Sequence, residues 1–340
     1  MTSKQRNSNI ELLRLLLMVG IFCWHIIVHG FGFVKIGENG MNYTLNMPLT
    51  LALSSILAPA TYTFVFISGF YGIRFKLRKF VGLILWCIIV SLGCTLFKYS
   101  IGNADLIDVY RSLFPITNIV WWFMTAYVGL YLLSPFINEG IENMEKEKFK
   151  SCVIIFLIMS TIGTLALGMN LGSNLIGLIT VYLLARYFRM YIPLNMKISL
   201  KFYAISLILM FTCLMTIWWV TIQVGNPKAY KLIFYFLSYC NPLIIAMAVC
   251  LFHIFYRLPV WSNKIFNQIA SPSLFIYLIT ERLGGGILYR PIALLLKANF
   301  LKGMGAILLT VIGCLAIGFM IQYIVNHIVD LSLSLYRKRR

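Results

Sequence analysis

The sequence predicts an all-α fold, a polytopic transmembrane helix bundle of about ten spans with both termini cytoplasmic. Three observations predict it. The 340 residues are 60% hydrophobic and only 11% charged, with a mean hydropathy of +0.86 that soluble domains do not reach. Apolar windows of about 20 residues, the length that crosses roughly 30 Å of hydrocarbon, recur along the whole chain. The Lys and Arg residues collect in the short segments between those windows, where they act as topology determinants.

The windows fall at about 10–33, 49–71, 80–99, 119–137, 152–168, 172–191, 202–223, 233–255, 268–288 and 304–326. The first, NIELLRLLLMVGIFCWHIIVH from Asn9 to His29, is apolar enough to span yet carries Glu11, Arg14, His25 and His29. The second is followed by Arg74, Lys76, Arg78 and Lys79. Before the fourth, the stretch IGNADLIDVYRSLFPITN mixes apolar and acidic residues and reads as a re-entrant or interfacial helix on the outer face. Almost nothing separates the fifth from the sixth. The eighth contains Asn241 and Pro242, which break a helix locally and read as a kink. The ninth ends near Gly284–Gly286.

With the N-terminus inside, 19 basic residues lie in inner segments and nine in outer ones. That asymmetry places both termini in the cytoplasm. The first apolar run is too long and too charged for a signal peptide and is expected to be retained. No connection is long enough for a soluble core, so the expectation is one membrane-embedded domain over 1–340, with its core at about 8–326.

The net charge of +19 is spread over loops, so nucleic acid is not an expected partner; membrane lipids are. The eight cysteines lie almost entirely within apolar runs without CxxC spacing and read as small buried side chains. His25 and His29 are four residues apart, but no HExxH pattern or suitably spaced carboxylate accompanies them, so no metal is expected.

Charged groups inside a membrane helix cost roughly 2.5–3.5 kcal/mol near its centre and usually serve a substrate or proton path. Arg14 and His25 are eleven residues apart, hence on one helical face and about 16 Å apart along the axis. Arg14 either snorkels to lipid phosphates or, with the Arg74–Lys79 cluster, docks a phosphorylated cytosolic ligand. His25 reads either as a buried histidine bonded to a neighbouring helix or as a proton acceptor. His29, nearer the outer surface, reads as an interface or substrate-contacting residue. Trp122 and Tyr127 read as interfacial anchors, and secondarily as rings that stack on a sugar. Glu281 reads as a surface carboxylate paired with Arg282 or as a site residue.

The Arg14-to-His25 spacing resembles the first-helix signature of integral-membrane acyltransferase family 3. TFVFISGFYGIRFKLRKF (63–80), IVWWFMTAYVGLYLLSPFI (119–137) and SPSLFIYLITER (271–282) are similar to further motifs of that family, in its order. The resemblance implies a membrane O-acyltransferase, multi-pass in the cell inner or plasma membrane. It would move an acyl group, with acetyl favoured, from cytosolic acetyl-CoA or another acyl-CoA to a hydroxyl of an extracytoplasmic glycan or lipid-linked saccharide. It also implies His25 as catalytic residue and Arg14, Arg74 and Arg78 as donor-binding residues, with no resident cofactor; Glu281 matches the late motif and, counted along its helix from about residue 268, falls at a depth similar to that of His25, where it could orient the imidazole. The late motif departs from the family at Thr280, where many relatives have His. A glycan or lipid transporter or flippase shares the spans and charges but needs neither acyl-CoA nor a base at His25.

Overall fold

The computed structural model describes residues 6–33, 46–165, 172–193, 195–225 and 230–338. The end of the fifth window and five of the basic residues counted above, Lys4, Lys35, Lys228, Arg339 and Arg340, lie outside the described residues. Among the described residues the regular structure is entirely helical. In chain order the helices are α1 (Ser8–His25), α2 (Met47–Leu57), α3 (Ala60–Tyr71), α4 (Leu77–Ser100), α5 (Leu106–Ser112), α6 (Trp122–Glu142), α7 (Lys146–Leu165) and α8 (Leu175–Tyr191). There follow α9 (Met196–Val224), α10 (Lys231–Phe236), α11 (Pro242–Arg257), α12 (Lys264–Ala270), α13 (Leu274–Gly284), α14 (Arg290–Ala298) and α15 (Phe300–Lys338).

The described part of each predicted window is largely helical, but against the expected ten spans, five helical stretches among the described residues are long and apolar enough to cross a membrane: Ser8–Gly30, Met47–Tyr71, Leu77–Ser100, Met196–Val224 and Phe300–Asp330. Their outward faces are apolar, as at Leu309 (71% exposed) and Ile208 (63%), the pattern of helices that face lipid.

Two windows are interrupted for reasons written in their residues. Pro59 lacks an N–H, and its ring crowds the preceding turn, so the second window divides into α2 and α3. In the eighth, the expected kink is a full break. The Asn241 side chain accepts from the Leu243 N–H and donates to the Phe236 carbonyl, closing α10 and starting α11 with Pro242 in its first turn. Residues 237–241 are thereby released from helix inside the bundle. The stretch before the fourth window forms α5, started by a capping box between Asp105 and Asp108 and exposing Leu106, Ile107 and Tyr110.

The start of α1 is clasped. Trp261 Nε1 donates to Asn9 Oδ1 at 2.6 Å, Ser8 Oγ donates to Asn267 Oδ1 at 2.8 Å, and Asn9 Nδ2 donates to the Pro259 carbonyl at 3.0 Å. This ties α1 to α12 and the loop before it, and fixes Arg14 and His25 along one axis. Helices α3 and α8 touch closely because Gly69 has no side chain: a Cβ there would lie 2.9 Å from the Tyr182 carbonyl.

Candidate active site

His25 is the last residue of α1, where the backbone widens into a π-helical turn, Ile26–Gly30. A second π turn, Gly285–Tyr289, follows α13 and lies against the first. Such turns are rare and cluster at functional sites. Gly30 permits their approach: a Cβ at that position would stand 2.5 Å from the Tyr289 carbonyl oxygen and 3.1 Å from Ala293 Cβ. Only glycine fits there without moving the second turn.

The two turns bring three side chains together. Glu281 Oε2 lies 2.9 Å from His25 Nδ1 and also accepts from the Tyr289 hydroxyl at 2.9 Å, while that hydroxyl is 3.3 Å from Nδ1. A carboxylate can only accept, so this geometry assigns the imidazole proton to Nδ1 and leaves Nε2 as an acceptor. His25 is 12% exposed, Glu281 is 29% exposed, and Tyr289 is buried. Glu281 does not pair with Arg282, which instead donates to the Thr95 hydroxyl at 2.6 Å. Thr280 is fully buried, donates to the Ile276 carbonyl of its own helix, and its hydroxyl also meets that of Tyr289, so it touches the cluster through the tyrosine.

Two cavities flank this cluster along α1. Toward the start of the helix, a cavity of about 870 Å³ is lined by six arginines, Arg6, Arg14, Arg74, Arg186, Arg189 and Arg257, against one carboxylate, Glu11. Glu11 is already engaged by Arg14 at 3.1 Å. The Arg186 Nε is buried without a hydrogen-bond partner among the described residues. A space so charged is built for an anion. Tyr71, Tyr256 and Phe70 add aromatic surface to it.

Toward the C-terminal end of α1 lies a cavity of about 440 Å³ lined in part by Trp24, Phe234, Tyr235 and Tyr239. His25 itself lines a narrow crevice of about 10 Å³ with Met18, Thr61, Trp122, Tyr239 and Tyr277. Ile21, Thr61 and Tyr239 line both the crevice and this aromatic cavity. The broken eighth window thus supplies a wall of the site, through Tyr239, rather than a bend.

The residues singled out by sequence are distributed unevenly. His25 and Glu281 are in contact, Arg14 and Arg74 share the basic cavity, and Trp122 lines the crevice. His29 is exposed, with its ring stacked on Tyr289 at 6.0 Å and 5.9 Å from that of His25. Tyr127 stands one turn behind the crevice, its hydroxyl 3.2 Å from Ser68 Oγ and its ring stacked on Phe123. Arg78 does not line the basic cavity; it pairs with Asp330 at 2.7 Å, and both are more than half exposed. Sequence reasoning missed Tyr289, Tyr239, Arg186 and Arg189. The two arginines had a signal, being three apart inside an apolar window, but were counted as loop charges.

The family described as an acyltransferase domain matches residues 7–321, nearly the whole chain. The chain belongs to that family, acyltransferase family 3. Neither a curated protein nor a solved structure matches it.

Proposed function

We propose that this member of acyltransferase family 3 transfers an acyl group, acetyl first among candidates, from cytosolic acyl-CoA to a hydroxyl of an extracytoplasmic glycan or lipid-linked saccharide. The chain makes ten passes through the inner or plasma membrane with both termini inside. The observation that carries the reading is the position of the His25–Glu281–Tyr289 cluster between a basic cavity and an aromatic one. The arginines hold the donor's phosphates, and its slender pantetheine arm passes along α1 toward His25. Counted from Ile10 at about 1.5 Å per residue, His25 is some 22 Å deep, in the outer half of the bilayer.

His25 Nε2 then takes the proton from the acceptor hydroxyl as its oxygen attacks the thioester carbonyl. The tetrahedral intermediate collapses to the ester, and the carbon–sulfur bond breaks. The leaving thiolate takes the proton back from the imidazolium. Glu281 stabilises that imidazolium through Nδ1, and Tyr289 holds the carboxylate in place. Arg74, which lines the basic cavity, and Trp122, in the crevice, serve donor and acceptor respectively.

The test is to express His25→Ala in a deletion strain, verify its insertion by immunoblot, and quantify ester-linked acetate on purified surface glycans. Loss of acetate in both the variant and the deletion, with normal protein abundance, is expected. Acetate unchanged in His25→Ala would remove the base, and acetate unchanged in the deletion would favour another acyl group or a transporter.

A further inference from the structure

The aromatic cavity carries more information than its position. Its lining holds aromatic rings, among them Trp24 and Tyr239, and hydroxyls, among them Ser238 and Thr164. Thr164 is 4% exposed, and its hydroxyl lies beside the Cys240 thiol. At about 440 Å³ the space lies within the roughly 300–1,000 Å³ of small-molecule sites.

Lys231, the first residue of α10, is the one charged side chain among the described residues that line this cavity. Among the described residues no carboxylate pairs with it. The bland explanation for a lysine at the outer end of a helix is solvation, but this one closes an aromatic cavity that continues into the crevice of His25 through Ile21, Thr61 and Tyr239. A single ammonium matches a single negative charge. Lys231 is itself exposed, so the pair it would form is a solvated one of modest strength.

We infer that this cavity is the acceptor site and that it takes an acidic sugar, whose one carboxylate sits on Lys231 while a ring hydroxyl enters the crevice toward His25. The inference rests on the acyl-transfer reading above and deepens it. Trp24 and Tyr239 supply faces for the sugar ring, and Thr164 and Ser238 supply partners for its hydroxyls.

The test uses the full-length protein in detergent micelles and saturation-transfer difference NMR. The probes are three stereochemical pairs, the methyl hexosides and methyl hexuronides of the gluco, galacto and manno series. At least one uronide is expected to bind about five-fold or more tighter than its neutral partner. Lys231→Gln should abolish that advantage, and Lys231→Arg should retain it. If no uronide binds better than its partner, or if the advantage survives Lys231→Gln, the inference is overturned. Acetyl-CoA binding is titrated on the same preparations. Its absence beside an intact uronide preference would sink the acyl-transfer reading but leave a saccharide pocket; its presence without the preference would sink the pocket alone.

Discussion

His25 Nδ1 lies 2.9 Å from Glu281 Oε2, joining the end of the first helix to the end of the thirteenth. The contact fixes which ring nitrogen is free, and so which can act as a base. Glu281→Gln keeps the shape and removes the charge that steadies the imidazolium. The expected outcome is a fall in kcat of about 10²- to 10⁴-fold with acetyl-CoA affinity unchanged. Initial rates and isothermal titration on the same preparation check it; a rate within a factor of two of wild type would remove Glu281 from the mechanism.

Tyr289 should act through Glu281. Its hydroxyl donates to the carboxylate at 2.9 Å, and its ring stacks on His29. Tyr289→Phe keeps the ring and deletes the donor. A hydrogen bond to a charged group contributes about 1.5–3 kcal/mol, so kcat should drop at least about ten-fold with KM for acyl-CoA unchanged. Equal effects on both parameters would assign Tyr289 to donor binding instead.

Much of this arrangement was legible in the sequence, and the parts that were not have physical reasons. Period and composition located the helices, because lipid demands long apolar runs whatever the tertiary context. Arg14 and His25 were found because a charge in such a run stands out. Tyr289 was not, since a tyrosine near a membrane boundary is ordinary, and only the π turn at Gly285–Tyr289 delivers it to Glu281. The resemblance groups Arg78 with Arg74, and their four-residue spacing would put them on one face of a helix, yet Gly72, at φ +75°, ends α3 before them and α4 begins between them. The two side chains therefore depart in different directions.

Arg186→Ala and Arg78→Ala separate the cavity from the surface. Arg186 lines the basic cavity with a buried Nε that has no hydrogen-bond partner among the described residues, whereas Arg78 pairs with Asp330 outside it. Removing one charge-assisted contact costs about 1.5–3 kcal/mol, so Arg186→Ala should weaken acetyl-CoA binding at least about ten-fold. Arg78→Ala should change it less than about two-fold, the surface pair being worth little. Titration calorimetry reads both, and equal losses would contradict the placement of the donor.

Gly30→Ala probes the packing of the two π turns. The added methyl meets the Tyr289 carbonyl, which must withdraw and take its side chain along. Overpacking of this kind costs about 1–3 kcal/mol. A lower apparent Tm, together with a loss of activity at least as large as that of Tyr289→Phe, is expected. Wild-type stability would mean that the turns are not in contact as described.

The most direct test of the account compares acetyl transfer and acetyl-CoA binding in purified wild-type protein and His25→Ala, in one preparation with a glycan acceptor. If His25 is the base between a cytosolic donor cavity and an outer acceptor cavity, the variant binds acetyl-CoA normally. Its transfer rate falls by about 10²- to 10⁴-fold. Transfer that persists in His25→Ala at close to the wild-type rate, with binding equally intact, would contradict it.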